Sequence, residues 1–184
     1  MQNEESLVQR AKEHDQQAFT ELYEAYFDKI YRYIVLKIGD KKEAEDITQQ
    51  VFLKALQSIS SFKWKGSPFS AWLYRIAHNQ IVDYFRKKSK RPAMPLDDSL
   101  NISDTKKESN PYSMAEQSFD IEQVVSATQK LTEAQHEVIS LRFTSELSTA
   151  EVANIMGKSQ GAIKALQHSA IAALRRNLVV ETNE

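Results

Sequence analysis

Three of the four prolines, Pro92, Pro95 and Pro111, fall in one stretch, RPAMPLDDSLNISDTKKESNPYSMAEQ, which also gathers Ser, Asp and Asn. Proline lacks a backbone donor and turns the residue before it away from helix, so no long regular element is expected to cross this stretch. Its apolar residues follow no helical or strand period. About two dozen patternless residues exceed what connections inside a compact domain normally need. The sequence therefore predicts two folding units, residues 1–91 and 118–184, joined by a flexible linker at 92–117. A long loop within a single domain is the competing reading.

Both flanks read as helix, and the expected fold is all-α: two small helical domains, the C-terminal one a helix-turn-helix. FTELYEAYFDKIYRYIVLKIG (19–39) places Leu22, Tyr26, Ile30, Tyr33 and Ile34 three and four residues apart, one face of a helix. Gly39 fits the position that ends it. KKEAEDITQQVFLKALQSI carries a second stripe of Ala44, Ile47, Val51, Ala55 and Ile59, with acids in its first turn. Phe62–Pro68 interrupts as a loop. A third helix starts near Phe69, turns Leu73, Ile76, Ala77 and Tyr84 inward, and stops before Pro92.

Beyond the linker, LTEAQHEVISLRF predicts a helix capped by Thr132. In the segment after it, Ser148 and Glu151 have capping-box spacing, with Leu147 and Val152 at the staple positions. A short helix runs through Ile155 to Gly157. Ser159 then caps a longer helix whose inward residues are Ile163, Leu166, Ala170 and Leu174. A short helix, a glycine turn and a second helix are helix-turn-helix spacing, and an ordinary helical hairpin is the alternative. In that motif the second helix enters the major groove N-terminal end first. Its outward residues are then Gln160, Lys164, Ala165, His168 and Ser169, of which Gln, Lys and Ser can hydrogen-bond bases or phosphates.

The formal net charge of −1 conceals a division. Residues 62–91 hold eight basic side chains and one acidic, whereas residues 1–61 hold eight and eleven, and 92–130 hold three and seven. Five of the six residues from Arg86 to Arg91 are basic. Charges that serve solubility mix signs, so a block of one sign points to an anionic partner. Just upstream, FKWKGSPF alternates aromatics with Lys63 and Lys65. Aromatic planes that stack bases beside cations that hold phosphates are how proteins grip unpaired strands. Trp72, Arg75, Asn79 and Arg86 recur on one side of the following helix, although Trp72 serves equally well as core filler.

The chain has no Cys, so disulfides and thiolate chemistry are excluded. The four His (14, 78, 136, 168) are dispersed, and no acid–base or nucleophile pair stands out, so neither a catalytic site nor a metal site is expected. MQNEESLVQRAKEHD is too polar for a signal peptide, and no apolar run approaches the ~20 residues that span a bilayer. A cytoplasmic location is expected.

The series AEDITQQVFLKAL, then SSFKWKGSPFSAWLYRIAHNQIVDYFRK, then LTEAQHEVISLRF with the helix-turn-helix, resembles bacterial sigma factors of the extracytoplasmic-function type. Region 2 would cover about 5–91 and region 4 about 118–178. The resemblance implies a non-enzymatic protein that binds core RNA polymerase, directs it to promoters and melts the minus-10 element. Asp46, Gln49, Gln50 and Phe52 would dock on the clamp coiled coil of the largest polymerase subunit. Lys63, Trp64, Lys65, Trp72, Arg75 and Asn79 would open the minus-10 element and hold a flipped base, and Arg86, Lys87 and Lys88 would meet the adjacent duplex phosphates. Gln160, Lys164, Ala165, His168 and Ser169 would read the minus-35 duplex. The linker would run through the polymerase toward its active-site cleft.

The partners implied are core polymerase and promoter DNA, with an anti-sigma factor allowed for. No cofactor and no membrane insertion are implied. One departure stands out: relatives commonly carry arginines around the positions of Ala165, Leu166 and Ser169. A two-domain helix-turn-helix regulator that never docks on polymerase would also use residues 131–178, but it leaves FKWKGSPF without a role.

Overall fold

The computed structural model describes residues 2–64, 67–90, 126, 128 and 130–181, and every regular element among them is helical. Four helices precede the proline-bearing stretch: α1 (Gln2–Lys12), α2 (Gln16–Ile38), α3 (Lys41–Ser58) and α4 (Phe69–Lys90). A 3-10 turn at Ile59–Ser61 follows α3. Three helices come after it: α5 (Glu133–Thr144), α6 (Thr149–Met156) and α7 (Gln160–Glu181). The stretch 92–117 lies outside the described residues, as do Lys65 and Gly66.

Helix α1 was not anticipated, because its polar sequence buries only a short stripe, Val8 and Ala11. Its corner with α2 is built by one carboxylate. Asp15 accepts from the Gln17 and Ala18 amides at 3.0 and 3.2 Å and pairs with Arg10, while His14 takes a left-handed φ of 67°. That cap starts α2 at Gln16, three residues before the expected boundary. At the other end Gly39, at φ 78°, closes α2 as expected.

The predicted stripes lie inside. Leu22, Ile30, Tyr33 and Ile34 of α2 meet Ala44, Ile47, Val51, Ala55 and Ile59 of α3 and the turn after it, and Leu73 and Ala77 of α4, all buried. Burying one such aliphatic side chain contributes ~1.5–3 kcal/mol, more than a typical cap, so the stripes decide that these helices pack and the caps decide where they end. In the C-terminal half Val138, Leu141, Leu147, Val152 and Ile163 are buried together. The anticipated Ser148–Glu151 capping box forms, and Thr132 caps α5 as expected, with Gln135 completing a second box.

The two halves pack against each other, with α5 on α2 and α6 on α4. The seam is polar at its centre. Glu137 of α5, with a side chain 8% exposed, takes a hydrogen bond from Tyr33 Oη at 2.5 Å and pairs with Lys37 Nζ at 2.8 Å. His78 Nδ1 of α4 lies 3.0 Å from the same carboxylate. Lys37 is itself only 6% exposed. Beside this cluster Tyr74 Oη donates to the Thr144 carbonyl at 2.5 Å, and the Tyr33 and Tyr74 rings meet edge to face at 5.4 Å.

Burial by itself would raise the Glu137 carboxyl. The His78 contact, the Lys37 charge and the hydrogen bonds from Lys37 and Tyr33 outweigh it and bring the pKa down to about 2. His136, half-buried, sits next to it on α5. A carboxyl depressed from an ordinary value of 4.5 stabilises the folded seam above that pH and loses the contribution as pH falls toward 2. The Glu137→Gln protein should therefore lie on the order of 2–3 kcal/mol below the parent in urea stability at pH 6. The gap should narrow between about pH 4.5 and 2, and a gap independent of pH would mean that the carboxylate charge plays no part.

Candidate nucleic-acid interface

The loop after α3 is anchored by one aromatic side chain. Phe62 is 4% exposed, and its ring lies 5.2 Å from Trp64, 5.7 Å from Phe69 and 5.3 Å from Trp72. Tilted and edge-to-face rings at these separations add to ordinary apolar burial, so the loop returns to α4 through a rigid aromatic cluster. Lys63 and Trp64 stand outward from it, with Trp64 38% exposed. Lys65 lies outside the described residues. Trp72 is half-buried against Phe62 and Phe69, so it serves both readings, as core support and as one wall of an open cleft.

Along α4 the exposed positions run Arg75, Asn79, Val82 and Arg86, a single stripe at three- and four-residue steps that continues Trp72. Asn79 opens onto a shallow cleft with Lys54 and Gln57 of α3. Arg86, Lys87 and Lys88 are all exposed at the C-terminal end. Arg86 pairs with Asp83 at 3.0 Å, and Lys88 stands over the Tyr84 ring at 5.6 Å. An exposed pair one turn apart is worth less than ~1 kcal/mol, so Arg86 can readily exchange Asp83 for a phosphate. Val82 and Phe85, 50% and 42% exposed, were not singled out from sequence. The available signal was Phe85 beside the basic run, an aromatic among cations like those of the loop.

On α3, Asp46, Gln49 and Gln50 are exposed as expected. Phe52 is not: it is 5% exposed, with its ring 4.7 Å from Tyr23 and 6.1 Å from Phe27, so it packs under the helix and not on its outer face. The outer face is completed by Leu53 and Leu56, 55% and 51% exposed. Their positions i+3 and i+4 from Gln49 and Gln50 and from Leu53 put all four on one side. Nothing in VFLKAL marks these leucines as outward and Phe52 as inward.

The helix-turn-helix forms as expected. Gly157 turns at φ 62° between α6 and α7, and Ser159 Oγ accepts from the Ala162 amide at 3.2 Å to cap α7. Ile163 and Ala170 are buried, while Gln160, Lys164, Ala165, His168 and Ser169 are exposed. Ser169 is tied down: its hydroxyl donates to the Leu166 carbonyl at 3.0 Å and accepts from Gln135 of α5 at 3.1 Å.

One contact joins these surfaces. Arg75 Nη2 reaches the Asn154 carbonyl of α6 at 3.4 Å. A cleft of about 240 Å³ lies there, with Phe62, Lys63 and Trp72 on one wall and Glu151, Asn154 and Ile155 of α6 on the other.

Sequence comparison settles the family. Residues 22–91 match Sigma-70 region 2, and residues 127–176 match Sigma-70 region 4. The chain is 33% identical over 182 residues to the ECF RNA polymerase sigma factor SigW of Bacillus subtilis, covering 93% of this chain and 94% of that one. The chain is a member of the sigma-70 family, an RNA polymerase sigma factor of the extracytoplasmic-function (ECF) type. To the ECF sigma factor BldN of Streptomyces coelicolor it is 38% identical over 172 residues, which is 94% of this chain but 64% of that relative's length. Among solved structures, the sigma factor RpoE of Bartonella quintana, in complex with the anti-sigma factor NepR, is 26% identical with a TM-score of 0.68, over 88% of this chain and 97% of the other. The region 2 match takes in α3, the aromatic loop and α4, and the region 4 match takes in α5–α7.

The turn of this sigma factor's helix-turn-helix depends on Gly157. A Cβ there meets nothing within 4 Å, so any cost of adding one is conformational and not steric. Gly157→Ala should lose about 1 kcal/mol of stability in urea, the cost of a left-handed non-glycine residue, while Gly157→Asn loses less. Equal stability of all three proteins would show that the turn relaxes to negative φ.

Proposed function

We propose that this sigma factor divides its work among three surfaces, and that the single continuous stripe from Trp64 and Trp72 through Arg75 and Asn79 to Arg86 carries the reading. The outer face of α3, Asp46, Gln49, Gln50, Leu53 and Leu56, docks on core RNA polymerase. Two exposed leucines bordered by amides and one carboxylate have the apolar centre and polar rim of a docking patch, with Phe52 supporting the helix from beneath.

The loop and the outer stripe of α4 hold the non-template strand of the minus-10 element. Exposed Trp64 supplies a π-face, the cleft beside Trp72 and Arg75 has room for a base, and Lys63 with the Arg86–Lys88 cluster meets phosphates on either side. A flipped base costs a few kcal/mol in lost stacking and pairing, which contacts of this kind offset. On α7, Gln160, Lys164 and His168 face the minus-35 duplex, with Ala165 and Ser169 at the edges of the same surface. Residues 1–91 and 118–184 act as the two DNA-engaging units, with 92–117 as the tether. The protein works as a regulator with no catalytic step of its own, in the cytoplasm. No described helix is long and apolar enough to cross a membrane. RpoE, which it resembles, is held by an anti-sigma factor, and a partner of that kind fits this chain as well.

Two measurements test this assignment. Leu53→Asp lies on an exposed face and should leave stability within about 0.5 kcal/mol of the parent while weakening core-polymerase binding at least ~10-fold. Unchanged affinity for core would remove α3 from the interface. Trp64→Ala should still form holoenzyme but open promoters poorly, since a stacked base is worth ~1–3 kcal/mol. Permanganate footprinting reads this directly, and normal thymine reactivity in the variant would exclude Trp64 from the strand-holding site.

A further inference from the structure

A short relay of hydrogen bonds fastens α7 to the start of α5. The Gln135 side chain accepts from the Thr132 amide through Oε1 at 3.1 Å and donates through Nε2 to Ser169 Oγ of α7 at 3.1 Å. Ser169 gives its own proton to the Leu166 carbonyl at 3.0 Å, which leaves a lone pair of the hydroxyl for Gln135. Each polar atom of the relay thus has one role. The amide can point only one way, because turned over it would set its NH2 against the Thr132 N–H.

The other capping box of this half shows what the amide adds. There Glu151 takes the equivalent place, and its carboxylate accepts from the Ser148 amide at 2.6 Å. A carboxylate has no proton to give, so that box ends where it begins. Gln135 closes its box with one end and keeps a donor for a neighbouring helix at the other.

The point at which the donor takes hold has a mechanical consequence. With about 100° of turn per residue, Ser169 stands ~100° around α7 from His168 and ~140° from Lys164. It lies at the edge of the exposed face that borders α5, not at its centre. Inward, α7 presents Ile163 and Ala170, both buried. Apolar contact of this kind has no preferred direction about the helix axis, whereas a hydrogen bond does. A roll of about 20° carries a side-chain tip ~5–6 Å from the axis through about 2 Å, enough to take a donor out of reach of a base edge.

We propose that Gln135 is a positioning residue for promoter reading: through Ser169 it sets the roll of α7, and so decides which base edges Lys164 and His168 meet, given the assignment of α7 to the minus-35 duplex on which this role rests. Ser169 is then the anchor of the reading helix and not itself a reader. Gln135 lies outside the surface assigned to DNA and acts on the promoter only through α7.

Holoenzyme formed with each full-length variant can be used to select from a double-stranded promoter library randomised at the upstream element, with a second library reporting minus-10 preference. Gln135→Met keeps the side-chain stem and removes both polar ends. Ser169→Ala removes the anchor and leaves the Thr132 box whole. Both should alter the upstream profile in the same way, cutting discrimination between the preferred base and the others about two- to ten-fold, a loss bounded by the worth of one hydrogen bond. The double variant should do no more than either alone, and minus-10 preference should stay as in the parent. Gln135→Glu should restore the parent profile, since its carboxylate still accepts from Thr132 and the Ser169 hydroxyl can turn to donate to it.

A merely structural role would weaken binding to every sequence alike and leave the profile in place, and that result overturns the proposal. So does a changed profile in Ser169→Ala with none in Gln135→Met, because Ser169 would then be reading DNA itself. Lys164→Ala and His168→Ala separate this failure from a wider one. If they shift the upstream profile while Gln135→Met does not, α7 reads the duplex without the tie; if none of these variants shifts it, the assignment of α7 falls and the proposal with it.

Discussion

The arrangement of the two halves depends on one buried carboxylate. Glu137 comes from α5, Tyr33 and Lys37 from α2 and His78 from α4, so three helices from both sides of the proline-bearing stretch converge on a single side chain. An isolated ion in such a place would cost far more than a domain contact returns. It is tolerated because both carboxylate oxygens are engaged, one by the Lys37 ammonium and the other by Tyr33 and His78. Tyr74 extends the same logic one step outward by filling the Thr144 carbonyl left over at the end of α5. The two halves meet through hydrogen bonds with fixed directions at the centre of the seam, which sets where α6 falls on α4.

Much of the fold was legible because its determinants are local. The α2 and α3 stripes, the Gly39 and Gly157 turns, the Thr132 cap, the Ser148–Glu151 capping box and the Leu147–Val152 staple each lie within one or two helical turns of sequence, and each forms. Helix α1 was missed for the complementary reason: its apolar face is Val8 and Ala11 plus a partial contribution from Leu7, too little to show periodicity, and the Asp15 corner that orients it is built from polar atoms. The Glu137 cluster left no signal at all. Glu137 stands 59 to 104 positions from its partners, and nothing about a Glu in the middle of LTEAQHEVISLRF distinguishes it from a solvated helix residue.

The candidate surfaces follow the same division. Charge blocks and aromatic–basic alternation are composition, and composition survives folding, so Lys63, Trp64, Arg75, Asn79 and Arg86–Lys88 come out exposed together. Inside or outside on a helix is a question of angle. Phe52 stands about 100° from Leu53 around α3, and that rotation sends the aromatic into the Tyr23–Phe27 cluster and the aliphatic to solvent. Large apolar residues adjacent in sequence therefore take opposite roles, and only the packing partners of α3 decide which one is available to another protein.

The departure of α7 from its relatives has a physical counterpart in Ser169. Its hydroxyl links Gln135 to α7, and the same Gln135 side chain completes the capping box at Thr132, so one small residue ties the start of α5 to the middle of the recognition helix. An arginine at that position would bring a phosphate contact but would take away the hydroxyl that holds the two helices in register. The chain keeps the internal tie and places its cations elsewhere on α7, at Lys164 near the start and at Arg175 and Arg176 two turns beyond Ser169. On the proposed reading, in which this face of α7 meets the minus-35 duplex, fewer cations there mean fewer counterions released and a shallower salt dependence. The loop and helix of the N-terminal half are by contrast rich in cations: residues 62–91 carry eight of the chain's 24 lysines and arginines.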